Sequence, residues 1–566
     1  MAKRELTSDK GPRIESQRNV PFLNDRGYID FAPNDPDNPQ NWSTPRRWLV
    51  TWVTILLVFN ATFASSAISG AFESVVEEFH VSLTAAGLTV TLFLLGYCAG
   101  PLFFAPLSEF YGRRWIFYMT FTGYILFNFL CAFAPNYGSL LVGRLLTGTL
   151  VSAPLSNAPG VLADLWNPIE RGTAMAAFAG SIWAGSALGP VVGGFLQLKK
   201  DWQWVFYVLL MFGGASGLTM MLLPETHAPT ILRARARRFR EAKIPGYEQV
   251  KAPADDEDRS LSKVFSIALT RPWIILFDPI SFFCALYLSV VYTLLYMLFE
   301  IYPIVFRIKR GWKPGISELP LLGTIVGCVI GSGLVVLDTK KRARRIKRGE
   351  SSMSDFVPED RLGLAKIGGI GFAVSMFWFA WTGQYEYVDQ ARSRATADGQ
   401  SSSIHWIVPT LAGVSLSFSL LLVFVSFLNY IVDSYLLYAA SAIAANTIAR
   451  SACGAAAPLF TMQMFNALGV GVGGSVIGGV AALLAIIPFL FSKYGKQIRE
   501  RSKFAPTKPQ ATTQQSGPAG RVDHEELAVM TAYKAYASSL QSLEGRRESN
   551  ENGHIRPPRT PLPLST

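Results

Sequence analysis

Long apolar blocks alternate with short polar connections along most of this chain. A helix needs about 20 mainly apolar residues to cross the hydrocarbon core of a bilayer. Twelve blocks reach that length, and the pattern therefore predicts twelve membrane-spanning helices, span 1 to span 12. In chain order, the predicted spans are residues 49–71, 84–106, 115–134, 139–165, 173–196, 204–223, 276–303, 318–338, 363–383, 404–428, 434–460 and 468–492.

The twelve spans fall into two groups of six. The segment that separates them, residues 224–272, holds the basic run ILRARARRFREAK and the acidic run ADDED. Two groups of six helices are typical of transporters built from repeats, in which the site lies near the midplane between the halves. We therefore expect an all-α membrane protein with two six-helix pseudo-repeat bundles, residues 48–223 and 273–492. The separating segment is expected to be a solvated loop with one amphipathic helix.

The distribution of Lys and Arg predicts the orientation. Basic residues concentrate in the tail 1–47, in the separating segment, in KKRARRIKR after span 8, and after span 12. With twelve spans, all four segments fall on one side, which the positive-inside rule assigns to the cytoplasm. Both termini are then cytoplasmic. The C-terminal tail, residues 493–566, is rich in Ser, Thr, Pro and Gln, and we expect it to be mostly disordered.

Composition agrees with a membrane protein. Half of the 566 residues are hydrophobic and 16% are charged, against about 25% in a typical soluble domain. The net charge of +12 comes from loops between apolar blocks, so it indicates a membrane surface and not nucleic acid. The histidines lack metal-ligand spacing, and we expect no metal, cofactor or disulfide. The cysteines all fall inside predicted spans: Cys98, Cys131, Cys284, Cys328 and Cys453.

Two further patterns bear on energy coupling. The run GVGVGG at 469–474 fits the dinucleotide fingerprint. Because it lies inside span 12 with no strand before it, it does not indicate a nucleotide-binding site. The sequence also lacks a Walker A motif, which argues against transport driven by ATP.

The stretch PLSEFYGRR, residues 106–114, joins spans 2 and 3 with both charge signs in a very short turn. Gly112 supplies the backbone freedom that so tight a connection needs. Glu109, Arg113 and Arg114 lie at helix ends, where a charge cluster can hold two rigid units in one state and release them in another. We predict a conformational switch here; the alternative is a solvated loop with positive-inside arginines.

The longer stretch GPLFFAPLSEFYGRR resembles the signature loop of the major facilitator superfamily. Leu107, Gly112, Arg113 and Arg114 match, whereas Phe110 stands where that loop has an arginine. The motif DPDNPQNWSTPRRW lies before this stretch, and GSALGPVVGG, NYIVDSY and SAIAANTIARSACGAAAPLF follow it in order. Together they resemble the fungal twelve-span drug:proton antiporters. This resemblance implies the superfamily's fold, a small organic substrate, protons as the second partner, and a monomer in the plasma membrane.

Glycines four residues apart mark one face of span 5 and one of span 8. Such spacing lets another backbone approach closely, and Pro190 bends span 5. We expect the two faces to slide on one another between the halves; the alternative is ordinary packing. The resemblance adds that spans 5 and 8 meet at this boundary and that the span 5 element marks exporters. The glycines concerned are Gly185, Gly189, Gly193 and Gly194 in span 5, and Gly323, Gly327 and Gly331 in span 8.

Charged residues inside spans are candidates for proton coupling and the substrate cavity. An intramembrane arginine costs at least about 2.5 kcal/mol, so Arg144 and Arg450 must face a partner or water. By resemblance, Arg144 is the buried arginine of the fourth helix that is linked to proton coupling. Glu300, near Tyr292 and Tyr296 in span 7, is the predicted proton carrier. The alternative for Glu300 is an interfacial residue in contact with outer water.

Other polar residues lie at span ends or within spans. Asp164, Glu170 and Arg171 are expected to form one charge cluster at the cytoplasmic edge, and Asp433 is a further carboxylate candidate. Three asparagines either line a cavity or hydrogen-bond between helices: Asn60, Asn157 and Asn446.

These features favour a secondary transporter that exports a lipophilic or cationic organic compound, such as a drug, a fungicide or a self-made toxin, in exchange for protons. One alternative is proton-coupled uptake of a polyamine or small nutrient, which the span 5 element disfavours. Another is a transporter-like sensor that signals through the C-terminal tail. A membrane-bound enzyme such as an acyltransferase is disfavoured because His80, His227 and His405 lack catalytic partners. No catalytic residue is therefore predicted.

Overall fold

The computed structural model of the chain describes residues 22–24, 27–167, 170–242, 249–255, 261–349, 357–385, 404–435, 438–502 and 504–505. This part of the chain is mainly α-helical, and its one β-bridge joins Leu23 to Ile29. Ten separate helices cross the membrane before the last long helical run. Spans 1 to 10 are Thr44–Ser66, Leu83–Tyr111, Arg113–Ala132, Tyr137–Leu165, Arg171–Gln197, Gln203–Met220, Pro279–Tyr302, Leu322–Lys347, Leu362–Gly383 and Ile407–Tyr435.

The last apolar helical run, Ser441–Arg501, is 61 residues long. At 1.5 Å per residue it would extend about 90 Å, roughly three times the hydrocarbon core of a bilayer. Gly469 interrupts it with φ 73° and ψ 168°, a conformation open mainly to glycine. If Gly473 carried a Cβ, that atom would lie 3.1 Å from the Phe465 ring. These two residues are eight positions apart, and in a straight helix they would be separated by about 12 Å along the axis. The chain therefore folds back and crosses twice, which confirms twelve spans.

Helices extend further than the apolar blocks do. The outer connection predicted at 461–467 is helical, and the reversal between spans 11 and 12 occurs at Gly469. Span 8 continues to Lys347 through most of the basic run, and the last helix ends at Arg501. Hydropathy marks the thickness of the hydrocarbon core and not the length of a helix, because polar side chains on protruding turns are hydrated at the membrane surface.

Span 1 also changes form before it ends. After Ser66 the α-helix gives way to a 3-10 turn, Ala67–Ala71, and then to a short helix, Phe72–Phe79. This short helix occupies the outer loop that the sequence predicted at 72–83. The helix end at Ser66 presents backbone carbonyls to the interior of the first bundle, which becomes important for Arg144.

The segment between the halves contains two helices, Ala228–Glu241 and Leu261–Leu276. The first is the expected amphipathic helix, and its apolar face packs against Ile29 of the N-terminal tail. Arg235 pairs with Asp35 at 2.5 Å. The N-terminal tail and the segment between the halves therefore fold together. The C-terminal tail predicted to be disordered lies outside the described residues beyond Ala505.

The glycine face of span 5 packs on span 1. A Cβ at Gly189 would lie 2.8 Å from the backbone nitrogen of Ala67 and 2.9 Å from the carbonyl oxygen of Phe63. Gly185 faces Phe59 and Thr62 in the same helix. These contacts join two helices of one bundle, so Gly185 and Gly189 mark a seam within the first half. Gly194 instead faces the second half, where an added Cβ would lie 2.9 Å from the backbone nitrogen of Gly315.

The glycine face of span 8 packs on span 10. A Cβ at Gly327 would lie 3.0 Å from the backbone nitrogen of Phe418, and one at Gly331 would lie 3.1 Å from Leu421. The expectation that the faces of spans 5 and 8 pack on one another is therefore wrong. Glycine spacing marks a surface for close backbone approach, but it does not identify the helix that approaches.

Spans 5 and 8 do meet at the boundary between the halves, through other residues. The Ser332 hydroxyl donates to the carbonyl oxygen of Ala176 at 3.4 Å, and a Cβ at Gly172 would lie 2.6 Å from the Thr339 hydroxyl oxygen. Small polar side chains, with one long hydrogen bond, line this boundary.

We expect Gly189→Ala to destabilise the protein, because the added Cβ meets backbone atoms of span 1 that cannot move aside. Overpacking of this kind costs about 1–3 kcal/mol, and the melting temperature in detergent should fall by several degrees. Gly214→Ala in span 6 is the matched control, since nothing lies within 4 Å of its added Cβ. An equal melting temperature for the two variants would contradict the seam between spans 5 and 1.

Candidate functional site

An ion cluster joins the halves at the ends predicted to face the cytoplasm. The Arg171 guanidinium, at the start of span 5, lies 2.8 Å from Asp433 near the end of span 10. Arg361 donates to the other oxygen of the same carboxylate at 2.9 Å. These side chains are only 10–12% exposed, and breaking a buried ion pair typically costs about 3–5 kcal/mol. The cluster therefore acts as an inner latch between spans 5, 9 and 10.

The connection between spans 2 and 3 is held by a carboxylate that the sequence analysis missed. Glu225, after span 6, accepts the backbone N–H groups of Arg113 and Arg114 at 3.0 and 3.2 Å. Anions are favoured at a helix N-terminus such as that of span 3. Gly112 has φ 96°, as so tight a turn requires. The sequence placed Glu225 just after a span, but nothing in it indicated which helix it would cap.

The other charges near this turn belong to separate pairs. Arg113 lies 3.6 Å from Asp164 at the end of span 4, and Glu170 lies 3.4 Å from Arg47. The expected single cluster of Asp164, Glu170 and Arg171 is therefore wrong. Asp164 ends one helix and Arg171 begins the next, so the side chains face different neighbours. Glu109 is exposed.

An aromatic and polar cluster lies between the halves at mid-depth. The Ser65 hydroxyl in span 1 and the Tyr296 hydroxyl in span 7 are 3.0 Å apart. The rings of Tyr292 and Tyr296 are in edge contact, with centroids 5.2 Å apart. Tyr97 of span 2 donates to the carbonyl oxygen of Ala61 at 2.8 Å. We call the region around Ser65, Tyr292 and Tyr296 the central cluster; it includes the two tyrosines predicted to line the cavity.

Arg450 extends from span 11 beside this cluster. Its guanidinium lies 5.3 Å from the ring centre of Tyr292 and 5.1 Å from that of Phe424. It is 2% exposed, and no hydrogen bond or ion pair joins it to another described residue. Two cation–π contacts contribute about 0.5–2 kcal/mol each, less than the several kcal/mol that burying a charge costs. The Arg450 charge is therefore incompletely compensated.

Arg144 is buried to the same degree but is fully held. Its guanidinium donates to the carbonyl oxygens of Thr89 at 2.9 Å, Ala64 at 3.0 Å and Ser65 at 3.2 Å. It also lies 4.1 Å from the Phe93 ring centre. The carbonyls of residues 64 and 65 are at the end of span 1, the negative pole of a helix. The partner that the sequence analysis required is thus backbone, and Arg144 fixes span 4 against spans 1 and 2.

Glu300 lies at the interface of spans 7 and 11. Its carboxyl is beside the backbone of Met462, and Oε2 is buried without a hydrogen-bond partner among the described residues. The residue as a whole is half-buried, so both the proton carrier and the interfacial residue stay open as predictions. The geometry is compatible with the predicted proton carrier and does not by itself test that role.

The three asparagines that the sequence singled out all make hydrogen bonds to other helices. Asn60 donates to Ser216 at 3.2 Å, which links spans 1 and 6. Asn157 accepts from Ser108 at 3.2 Å, which links spans 4 and 2. Asn446 donates weakly to Ser281 at 3.4 Å, which links spans 11 and 7. The hydrogen-bonding alternative thus describes their contacts in this conformation.

A second ion pair joins the halves at the opposite ends, which are predicted to face outwards. Arg307, after span 7, lies 2.5 Å from Glu73, and Gln197 donates to the same carboxylate oxygen at 3.1 Å. Nearby, Glu318 accepts the backbone N–H of Gly315 at 2.6 Å, and burial raises the pKa of this carboxyl. The halves are thus bridged at both ends around the central cluster. We call the Glu73–Arg307 pair the outer latch.

The two latches should differ in strength. The side chains of the outer pair are 47% and 29% exposed, and exposed ion pairs contribute about 0.2–1 kcal/mol. The inner latch is mostly buried, so breaking it has the larger effect. We expect Asp433→Asn to raise the alkylation rate of a cysteine introduced as Ser65→Cys, in a protein without native cysteines, by at least about tenfold from the cytoplasmic side.

Two comparisons complete this experiment. Glu73→Gln should raise labelling from the outer side by no more than about fivefold. Glu241→Gln, which removes an exposed carboxylate of the cytoplasmic helix, is the control and should leave both rates unchanged. Equal effects of Asp433→Asn and Glu241→Gln would show that the inner ion cluster does not hold the halves together.

Known proteins resemble this chain over most of its length. The sequence profile described as the Major Facilitator Superfamily matches residues 54–458. "Efflux pump FUBT" of Fusarium oxysporum is 40% identical over 480 residues, which cover 84% of this chain and 77% of that protein. "Major facilitator superfamily multidrug transporter mdrA" of Aspergillus fumigatus is 39% identical over 481 residues, covering 84% of this chain and 76% of that protein.

Solved structures show the same fold. The proton:xylose symporter XylE of E. coli, at 17% sequence identity, has a TM-score of 0.56 over 80% of this chain and 97% of that one. Identity this low supports the arrangement of helices alone. The profile match, the relatives and the twelve-span architecture agree: this chain belongs to the major facilitator superfamily.

Proposed function

We propose that this protein is a proton-coupled efflux pump that moves a lipophilic organic compound out of the cell. One observation carries the proposal: latches at both ends bridge the halves around a buried aromatic and polar cluster. A transporter that alternates between two open states passes through such a closed form. The outward direction is supported by the relatives, whose names include "Efflux pump" and "Multidrug transporter".

The two latches give the alternation a physical basis. Breaking the Arg171–Asp433 pair while Glu73–Arg307 stays closed opens the central cluster towards the cytoplasm, and the reverse opens it outwards. The glycine seams keep spans 1 and 5, and spans 8 and 10, together, so each half moves as a unit. A difference of about 1.4 kcal/mol between the latches changes the ratio of the two open states tenfold.

Glu300 is the proposed proton carrier. A carboxyl that is buried in one state and hydrated in another changes its proton affinity between them. Glu300 lies in the outer part of span 7 against span 11, away from the latches and without a cationic partner among the described ion pairs. It can therefore take up a proton when the outer side opens and release it when the inner side opens.

The proposed setting is the plasma membrane, with both termini in the cytoplasm and the protein acting as a monomer. The Lys and Arg distribution supports this orientation. Residues 48–223 and 273–492 are the proposed moving bodies, and the tail and separating segment lie on the cytoplasmic side. The small organic substrate would occupy the central cluster.

Expression in a fungal host without its own drug pumps tests the proposal directly. A growth-inhibition panel of antifungals and fungal toxins should identify compounds to which the expressed protein gives resistance. Cells that express it should then hold less of such a compound than control cells, and a protonophore should abolish the difference. Higher accumulation in the expressing cells would indicate uptake and would contradict efflux.

Glu300→Gln should flatten the pH dependence of efflux, because an amide cannot carry a proton. We expect the parent rate to rise as the outer medium is acidified from about pH 8 to 5, and the variant rate to change by less than about twofold over this range. Rates are measured in vesicles with a compound from the panel. Glu78→Gln, at an exposed outer carboxylate, is the control. A Glu300→Gln profile that matches the parent would exclude Glu300 as the coupling group.

A further inference from the structure

Several buried polar groups near the central cluster have no partner among the described residues. They are the Arg450 Nε atom, the Ser451 hydroxyl and the Asn446 carbonyl oxygen, all on span 11 and all at most 2% exposed. Buried polar atoms are almost always hydrogen-bonded, and each exception needs an explanation. These three groups on one helix leave one acceptor, one donor and one hydroxyl free to bind a molecule or water beside the central cluster.

Arg450 and Arg144 are both arginines buried inside spans, and their contacts differ. Both arginines are fully buried in spans, but Arg144 receives three backbone carbonyls and Arg450 receives none. The described contacts of Arg450 are the faces of two aromatic rings, Tyr292 and Phe424. The protein can thus satisfy an intramembrane guanidinium with its own atoms, and at Arg450 it does not.

The described carboxylates are held elsewhere. Glu300, in span 7, lies beside Met462 of span 11. Met462 follows Arg450 by twelve residues, or about 18 Å along the axis of span 11. Asp433 is shared between Arg171 and Arg361. Among the described residues, no carboxylate forms an ion pair with Arg450. Glu300 follows Tyr296 by one helical turn of span 7, but no described ion pair joins it to Arg450, so a cation bound beside Arg450 would face that positive charge.

We propose that the central cluster binds an amphipathic organic anion, with Arg450 as its counter-ion. The acid group accepts from the guanidinium and from the Ser451 hydroxyl, and the apolar body lies among Tyr292, Tyr296 and Phe424. A guanidinium flanked by aromatic faces suits a carboxylate attached to a hydrophobic ring or chain. This assignment rests on the proposed function and narrows its substrate from lipophilic compounds in general to amphipathic acids.

Binding of three matched probes to the purified protein tests the assignment. The probes are 4-butylbenzoate, 4-butylbenzamide and 4-butylbenzylammonium, which share a ring and chain and differ in charge. Titration calorimetry should show that the parent binds the benzoate at least about tenfold more tightly than the amide, and the ammonium most weakly. Arg450→Gln should remove the preference for the benzoate and change amide binding by less than about twofold.

Two further variants keep the test decisive. Arg450→Lys retains the charge but not the planar fork, and should keep part of the preference for the benzoate. Arg237→Gln, at an exposed arginine of the cytoplasmic helix, should leave all three affinities unchanged. If Arg450→Gln is too unstable for binding measurements, the affinities of the Arg450→Lys variant and the order of the three affinities for the parent still test the assignment. Equal parent affinity for benzoate and amide, or benzoate binding that survives in a folded Arg450→Gln variant, would overturn the proposal.

Proteoliposomes separate this inference from the proposed function. If the benzoate binds through Arg450 but a pH gradient moves none of the probes, the anion site stands and proton-coupled export fails. If a pH gradient drives the ammonium probe while the benzoate does not bind, export stands and the anion assignment fails.

Discussion

Every charge inside a bilayer must be compensated by the protein or its ligand, because hydrocarbon supplies neither water nor counter-ions. Three arginines show three solutions. Arg144 is held by backbone carbonyls at a helix end and Arg171 by a carboxylate from the opposite half, whereas the described contacts of Arg450 are aromatic faces. The carbonyl contacts of Arg144 lie within one half, and the ion pair of Arg171 connects the two halves. The third leaves a place for a bound group.

The same distinction between fixed and separable contacts holds for the uncharged residues. Glycine faces bring backbone against backbone within each half, as at Gly189 and Gly327. Between the halves, spans 5 and 8 touch through small polar groups such as Ser332. Contacts through close-packed backbone are lost entirely when helices separate, whereas a hydroxyl that leaves a carbonyl can be hydrated in an open cavity. The seams therefore hold each half rigid and the boundary allows separation.

The sequence predicted the helices well and their partners poorly. Twelve apolar blocks, the tight turn at Gly112 and the buried Arg144 all follow from hydropathy and local backbone geometry. The helix that receives a glycine face, and the carboxylate that pairs with an arginine, depend on tertiary arrangement. Glu225, Glu73 and Arg307 could not be singled out, because one sequence contains many charges near span ends. The resemblance to a family supplied the fold but not these pairings.

The incompletely compensated Arg450 has an electrical consequence. With an anion bound, the central cluster is neutral, and its passage between the two open states carries little charge through the membrane field. Emptied of the anion, the same cavity carries one positive charge. A voltage that is negative inside then acts mainly on the return of the empty carrier, by up to about 2.3 kcal/mol per 100 mV for a charge that crosses the whole field. Such a voltage favours the inward-facing empty form, and so resets the carrier for the next substrate.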